Sequence, residues 1–364
     1  MPPTATELST DPAPAPAPAP VAAETYGGQT VPSAALSAVA RAAALVADDL
    51  AATERRLREL LKSDIAEIPQ VAGHVALCGG KRLRPLVALL AAQAAGYDAP
   101  HRITIAAVGE LVHTATLLHD DVVDGGEFRR GRPAARMAYG NGLAVLTGNF
   151  CLCSGLVAIA ESGQTHAYGT LAQTVMRMSE GEVAQLSSAG SVPSRARYYD
   201  IVDRKTAALI AWCASIGGLG DPKYTDALLR FGTELGYAFQ IADDVLDVTP
   251  NLKLDGGAGP GVTGKECGQD LRDGKVTLPL ALACEAEPAL LRQVQEALAV
   301  GPPMAANVVS EILQAVASTD AAQSARATAQ QHAASACEAL LTLPPTPARD
   351  ALSELAGYVV QREY

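Results

Sequence analysis

The same spacing of three carboxylates, Asp-Asp-x-x-Asp, occurs twice and far apart in this chain: Asp120, Asp121 and Asp124 in LLHDDVVDGG, and Asp243, Asp244 and Asp247 in FQIADDVLDVT. Each triplet closes an apolar run of helical periodicity, residues 111–118 and 231–242. On a helix, positions i and i+4 share a face, so Asp120 stands beside Asp124 and Asp243 beside Asp247. Two like charges one turn apart repel unless a cation lies between them. Carboxylates are hard ligands suited to Mg²⁺, which takes one or two of them and completes its shell with water and phosphate oxygens. The duplication therefore predicts helices that bring two acidic clusters to face a phosphate-bearing ligand. A solvated acidic face would be laced with lysine, and neither motif is.

Abundant Ala and Leu, 4% aromatic residues and few alternating β-branched runs favour an all-α chain with a sizeable core. Residues 1–33, including DPAPAPAPAP, read as a disordered arm that cannot bury enough apolar surface to order itself, and residues 34–364 as the catalytic domain. No signal peptide is apparent and no run reads as long and uniformly apolar enough to span a bilayer, so a soluble protein without a transmembrane segment is expected. The net charge of −11 argues against nucleic acid as a partner. Seven scattered cysteines read as reduced thiols of a cytoplasmic protein, and the CxC of Cys151 and Cys153 lacks further ligands at zinc-site spacing.

Basic segments accompany the acids. Gly79-Gly80 precedes Lys81-Arg82-Leu83-Arg84-Pro85 and an apolar helix at 86–95, so free backbone N–H groups and cations together suggest a diphosphate seat. Residues 103–124 read as one helix ending at Gly125-Gly126, with Phe128-Arg129-Arg130-Gly131-Arg132-Pro133 in the loop that follows. Exposed ion pairs contribute little on their own. A diphosphate held by metal on one side and by guanidinium forks on the other accounts for both sets of charges. Met178-Ser179-Glu180-Gly181-Glu182-Val183 and residues 198–219, which carry Lys205-Thr206, are further helical stretches; Gln240 lies one turn before Asp243. Residues 250–263 are a Gly- and Pro-rich loop, and residues 264–275 lead into a helix from Leu278. The last hundred residues or so carry no polar constellation and are assigned to packing.

The ordered set GGKRLRP, HTATLLHDDVVD, RRGRP, MSEGE, KTAALIA, FQIADDVLD, GKECGQDLRDGKVTLPL and YVVQRE resembles the trans-isoprenyl diphosphate synthases, or polyprenyl synthetases, from about residue 40 to the end. The resemblance implies an isoprenoid-synthase-type helical bundle around a central cavity, with the acidic motifs facing each other at its mouth, in a homodimer. It also implies Mg²⁺-dependent head-to-tail condensation of isopentenyl diphosphate with an allylic diphosphate. Carried onto this chain, Asp120, Asp124 and Asp243 look like ligands of three Mg²⁺ ions, with Asp121, Asp244 and Asp247 completing the catalytic motifs. Lys81, Arg84, His113 and Arg130 match the isopentenyl diphosphate seat; Arg129, Lys205, Thr206, Gln240 and Lys265 match allylic contacts, and Lys275 joins the substrate-binding set. His113 lies two turns before Asp120 on the same helix face.

Ionising an allylic diphosphate leaves a highly charged leaving group and a carbocation, so cations must hold the former and an apolar, water-free cavity must shield the latter. The oxygens of Thr206 and Gln240 would face the carbocation as dipoles. A little over one turn before Asp120 stand Ala115 and Thr116, both small where short-chain members of the family place Phe or Tyr, so an open path and a product of roughly thirty-five to fifty carbons are expected. A bulky side chain from another helix, Met176, Met178 or Trp212, could close that path instead. Geranylgeranyl diphosphate synthesis and a non-catalytic subunit of a heteromeric synthase are the alternatives. A terpene cyclase would lack Lys81, Arg84 and Arg130, and a di-iron bundle would need Glu-x-x-His motifs near the acids, which are absent. The chain departs from the family pattern at Gly125-Gly126, at Asn149 and in the length of the 250–263 loop.

Overall fold

The computed structural model describes residues 35–78, 82–249 and 267–361. The N-terminal arm, Lys81, Lys265 and the 250–263 loop lie outside these. Helix follows helix: α1 (Ala35–Leu45), α2 (Ala47–Leu60), α3 (Glu67–Ala76), α4 (Leu83–Ala94) and α5 (His101–Val123). A two-stranded hairpin, β1 (Phe128–Arg129) and β2 (Arg132–Pro133), leads to α6 (Ala135–Tyr139), α7 (Asn141–Glu161), α8 (Thr165–Ser188) and α9 (Arg195–Val202). A π-helical turn, Asp203–Ala207, separates α9 from α10 (Ala208–Ala214). Then come α11 (Thr225–Val248), α12 (Gln269–Arg272), α13 (Leu278–Ala286), α14 (Pro288–Val300), α15 (Ala306–Ala317), α16 (Ala321–Ala339) and α17 (Pro347–Gln361).

Every residue of α10 is buried, the mark of a helix enclosed on all sides. It can sit so deep because α11 presents glycine to it. A Cβ on Gly232 would lie 2.5 Å from Ala211 Cα, and one on Gly236 2.5 Å from Ala207 Cα. On its other side α11 meets α16, which buries Ala325, Ala329, Ala333 and Ala336 at helical spacing, so these backbones too approach closely. The main core is built around α5 and α11 from side chains such as Leu111, Leu118, Phe231 and Leu235; a smaller cluster around Leu280, Val294 and Ile312 packs α13, α14 and α15 together. Both α5 and α11 carry an acidic motif at the C-terminal end.

The 198–219 stretch is helical from end to end, as expected, with the π turn and a closing 3₁₀ segment inside it. Two expectations are corrected. RRGRP is a hairpin with Phe128 opposite Pro133 and Arg129 opposite Arg132, joined through Arg130 and Gly131 at φ of 51° and 73°; positive φ at both central residues is what a tight two-residue connection requires. Finally, α7 is long and apolar enough to cross a membrane by length and composition alone. It buries Thr147, Cys151 and Ile159 on one face while Leu146 and Val157 stay exposed on the other, so it is apolar on two faces for two different reasons.

Candidate active site

The two acidic motifs divide their labour. In the last turn of α5, Asp121 is 3% exposed and accepts Arg129 Nε at 2.8 Å and Nη2 at 2.7 Å, both on Oδ1. Its Oδ2 is buried with no partner in the protein. Asp124 caps α5 and takes Lys275 Nζ at 2.8 Å, which ties the first motif to the segment that follows the second. The Asp120 carboxyl is pushed up to about 6, by burial first and by Glu182 and Asp124 in addition, against the lowering charges of Lys205 and Arg129. These neighbours come from α8, the end of α5, the π turn and the hairpin, so four elements converge on one carboxylate.

In the second motif, Asp244 is 2% exposed, accepts the Tyr198 hydroxyl at 2.6 Å on Oδ2 and accepts Gln240 Nε2 at 2.8 Å on Oδ1. Burial first, then the Asp270 charge, push its carboxyl up to about 8. Asp247 caps α12, its two oxygens accepting the backbone N–H groups of Gln269 and Asp270 at 3.1 and 3.2 Å. Asp121, Asp244 and Asp247 thus hold their neighbours in place. Asp120 and Asp243 are half-buried and Asp124 faces solvent.

Lys205 and Thr206 lie in the π turn, a winding found mostly as single turns at functional sites. Glycine clamps it from both sides. A Cβ on Gly181 of α8 would fall 2.8 Å from the Lys205 backbone nitrogen, and one on Gly236 of α11 would press on Ala207. The Lys205 ammonium bridges Glu182 at 2.5 Å and Gln185 at 2.6 Å. Thr206 Oγ1 donates to Gln240 Oε1 at 2.9 Å, so its hydrogen is committed and its lone pairs are not. The Gln240 carbonyl oxygen accepts this bond with one lone pair and keeps a second.

On the opposite wall, Arg82 and Arg130 are the non-glycine residues with positive φ among the described residues, one in each basic motif. Arg82, at φ 48°, is secured by Glu54, by Glu110 at 2.8 Å and by the Ala76 carbonyl at 2.7 Å. Backbone strain of this kind persists only where the surroundings over-determine it. Two residues on, Arg84 Nε is buried without a partner. Burial holds the His113 imidazole well below its ordinary range, and the guanidinium groups of Arg84, Arg130, Arg129 and Arg82 push the same way, so it is neutral. His113 therefore stands within the basic cluster to which the sequence assigns it.

The expectation for Ala115 is corrected. It has no exposed surface and packs into the core, so only half-buried Thr116 borders open space. At the far end of the bundle a small recess is lined by Ile105, Ala167, Thr170, Trp212, Ile216 and Leu219 among others. It lies near the N-terminal end of α5, with Thr225, the first residue of α11, also on its wall. Trp212 donates from Nε1 to Thr170 Oγ1 at 3.2 Å.

Among the described residues no three His, Cys, Asp or Glu side chains converge into a ready-made cage. That suits Mg²⁺, which takes one or two carboxylates and leaves the rest of its shell to water and phosphate. The buried, unpartnered oxygens of Asp121 and Glu182 are further hard donors beside Asp120. The sequence reading missed Arg82, Glu110, Glu182, Gln185 and Tyr198. MSEGE had flagged the α8 segment without naming Lys205 as its partner.

Comparison with known proteins agrees with this geometry. The family described as Polyprenyl synthetase matches residues 65–316. The octaprenyl diphosphate synthase of Escherichia coli (strain K12) is 36% identical over 324 residues, 88% of this chain and 97% of that one. Heptaprenyl diphosphate synthase component 2 of Geobacillus stearothermophilus is 35% identical over 324 residues, again 88% and 97%. A polyprenyl synthase from Caulobacter crescentus CB15, crystallised with calcium and isoprenyl diphosphate, superposes with a TM-score of 0.83 at 36% identity, covering 90% of this chain and 98% of that one. The chain belongs to the polyprenyl synthetase family, the trans-isoprenyl diphosphate synthases.

Proposed function

We propose that this chain condenses isopentenyl diphosphate with an allylic diphosphate, head to tail, into a long-chain trans-polyprenyl diphosphate. The observation that carries the reading is the gathering around Asp120 of a second carboxylate of its own motif, the Lys205 turn and the Arg129 hairpin. Relatives named as octaprenyl and heptaprenyl synthases support the long product, and the calcium and isoprenyl diphosphate of the Caulobacter structure support a divalent cation here. When bound, Mg²⁺ supplies the charge that makes diphosphate a leaving group. Asp120, Asp124 and Asp243 would hold it, as three ions in our reading.

The chain's own groups do the rest. Arg129 grips the allylic diphosphate from the hairpin, where Arg130 belongs to the isopentenyl diphosphate seat, and Lys205, fixed by Glu182 and Gln185, adds a second charge to the allylic side. Arg84, whose Nε lacks a protein partner, and neutral His113, with one ring nitrogen able to donate, receive isopentenyl diphosphate. Lys81, Lys265 and Lys275 complete the substrate contacts in this assignment. The allylic carbon–oxygen bond breaks, its electron pair leaving with the diphosphate. The free lone pairs of Thr206 stabilise the carbocation until the isopentenyl double bond attacks. A proton lost to the departed diphosphate restores the double bond. The apolar interior keeps water from capturing the cation.

A homodimer is supported by a stripe of exposed apolar side chains, Leu143, Leu146 and Val157 on α7 with Met176, Val183 and Leu186 on α8, at successive spacings of three, seven or eleven residues. Seven cysteines present as free thiols support a reducing, cytoplasmic setting. The decisive test is the purified chain with Mg²⁺, isopentenyl diphosphate and farnesyl diphosphate, its products resolved by chromatography. Products beyond about twenty carbons are expected; arrest at twenty, or turnover independent of isopentenyl diphosphate, refutes the reading. Light scattering with a mass of one chain would refute the dimer.

A further inference from the structure

Tyr198, on α9, lies outside both acidic motifs and outside the Lys205-Thr206 turn. It is 5% exposed and delivers its hydroxyl 2.6 Å from Asp244 Oδ2. Because that oxygen is taken, the Gln240 amide meets Asp244 at the other one, Oδ1, at 2.8 Å. With its NH₂ turned to Asp244, Gln240 must present its oxygen to Thr206, whose hydroxyl donates to it at 2.9 Å. The order of donors is thus fixed along four residues from three segments of the fold: α9, the π turn and α11. An Asn or Gln amide has no orientation of its own and takes the one its partners impose.

We propose that Tyr198 is a positioning residue for the ionisation step, setting through Asp244 and Gln240 the direction of the Thr206 oxygen and, with it, the seat of the second acidic motif. Burial first, then the neighbouring Asp244 carboxyl, holds the phenol protonated, so its hydroxyl hydrogen is available to Asp244. Its loss frees Oδ2 and lets Gln240 rotate, so Thr206 can turn its hydrogen toward the carbocation. The inference rests on the condensation reading above.

Tyr198→Phe tests it. The expected result is a fall in kcat of about tenfold, the loss typical of a buried hydrogen bond, with KM for isopentenyl diphosphate within about twofold because the Arg84 and His113 wall is untouched. Thr206→Val should cost a similar factor, and the double variant little more than the worse single, since both break one chain. Multiplicative losses in the double variant, or an unchanged kcat in Tyr198→Phe, overturn the proposal. Should Tyr198→Phe fail to fold, Asp244→Asn replaces it: its NH₂ opposes one of the two donors and should give the same pattern. A second readout needs no turnover. Mg²⁺ with inorganic diphosphate should raise the Tm of wild type more than that of Tyr198→Phe, and equal rises count against the role. A wild-type chain that responds in this titration yet condenses nothing would sink the condensation reading and leave the positioning chain standing.

Discussion

Gly236→Ala is a one-methyl probe of the turn that holds Lys205 and Thr206. The new Cβ would fall 2.5 Å from Ala207 Cα and 2.7 Å from Ala207 Cβ. Carbon atoms pack at about 3.5–4.0 Å, so the two segments must part by roughly 1 Å. Overpacking of this kind costs ~1–3 kcal/mol, and the better helix propensity of Ala returns up to ~1 kcal/mol. The net loss of ~0–2 kcal/mol should lower Tm by only a few degrees in a chain of this size. Activity should fall far more. Ala207 follows Thr206 directly, and a displacement of about 1 Å can cost on the order of 100-fold in rate. Gly232→Ala is the matched control: its Cβ would meet Ala211 Cα at the same 2.5 Å, one turn further from Thr206. Calorimetry and steady-state condensation on both variants decide the matter. Similar Tm losses with kcat lowered about 100-fold in Gly236→Ala and less than about fivefold in Gly232→Ala are expected. Equal kcat losses, or full activity in Gly236→Ala, refute the link between this backbone contact and the chemistry.

Arg82→Met strands buried Glu110 and should cost ~3–5 kcal/mol in denaturant unfolding while raising KM for isopentenyl diphosphate; unchanged stability would show that the three acceptors do not secure the turn. Trp212→Ala empties a site 4% exposed, costs ~3–5 kcal/mol, and enlarges the distal recess that Trp212 lines, so chromatography should show longer products. An unchanged product ladder removes Trp212 from the tail's path. Asp120, pushed up to about 6, must shed a proton to take a cation. The Mg²⁺ concentration for half-maximal activity should therefore stay flat well above pH 6 and rise as pH falls through 6. Glu182→Gln, which removes a charge that raises this carboxyl, should move the break downward in pH, and a break at the same pH would exclude Glu182 as its cause.

The acidic helices were legible because two long apolar runs each end in i, i+4 aspartates, and the observed α5 and α11 match them to within a few residues. The arginine hairpin was legible in content but not in shape, since the Arg-Gly pair that closes it became meaningful only through its positive φ. The π turn left no local signature. Its winding depends on Gly181 and Gly236, which are distant in sequence and ordinary in composition. Ala115 misled for a related reason: a small side chain near a motif says nothing about which side of the helix opens to space. Arg82, standing between Lys81 and Arg84, read as one more cation of a diphosphate seat until Glu54 and Glu110 arrived from α2 and α5.

Both aspartate clusters sit at the carboxyl ends of long helices, where unpaired carbonyls already concentrate partial negative charge. On the proposed reading a diphosphate meets this doubled negative charge as well as the cations Arg129, Lys205 and Lys275 set among the carboxylates, so divalent ions must accompany it past the aspartates. Prenyl output would then follow the free divalent-ion level of its surroundings as well as substrate supply.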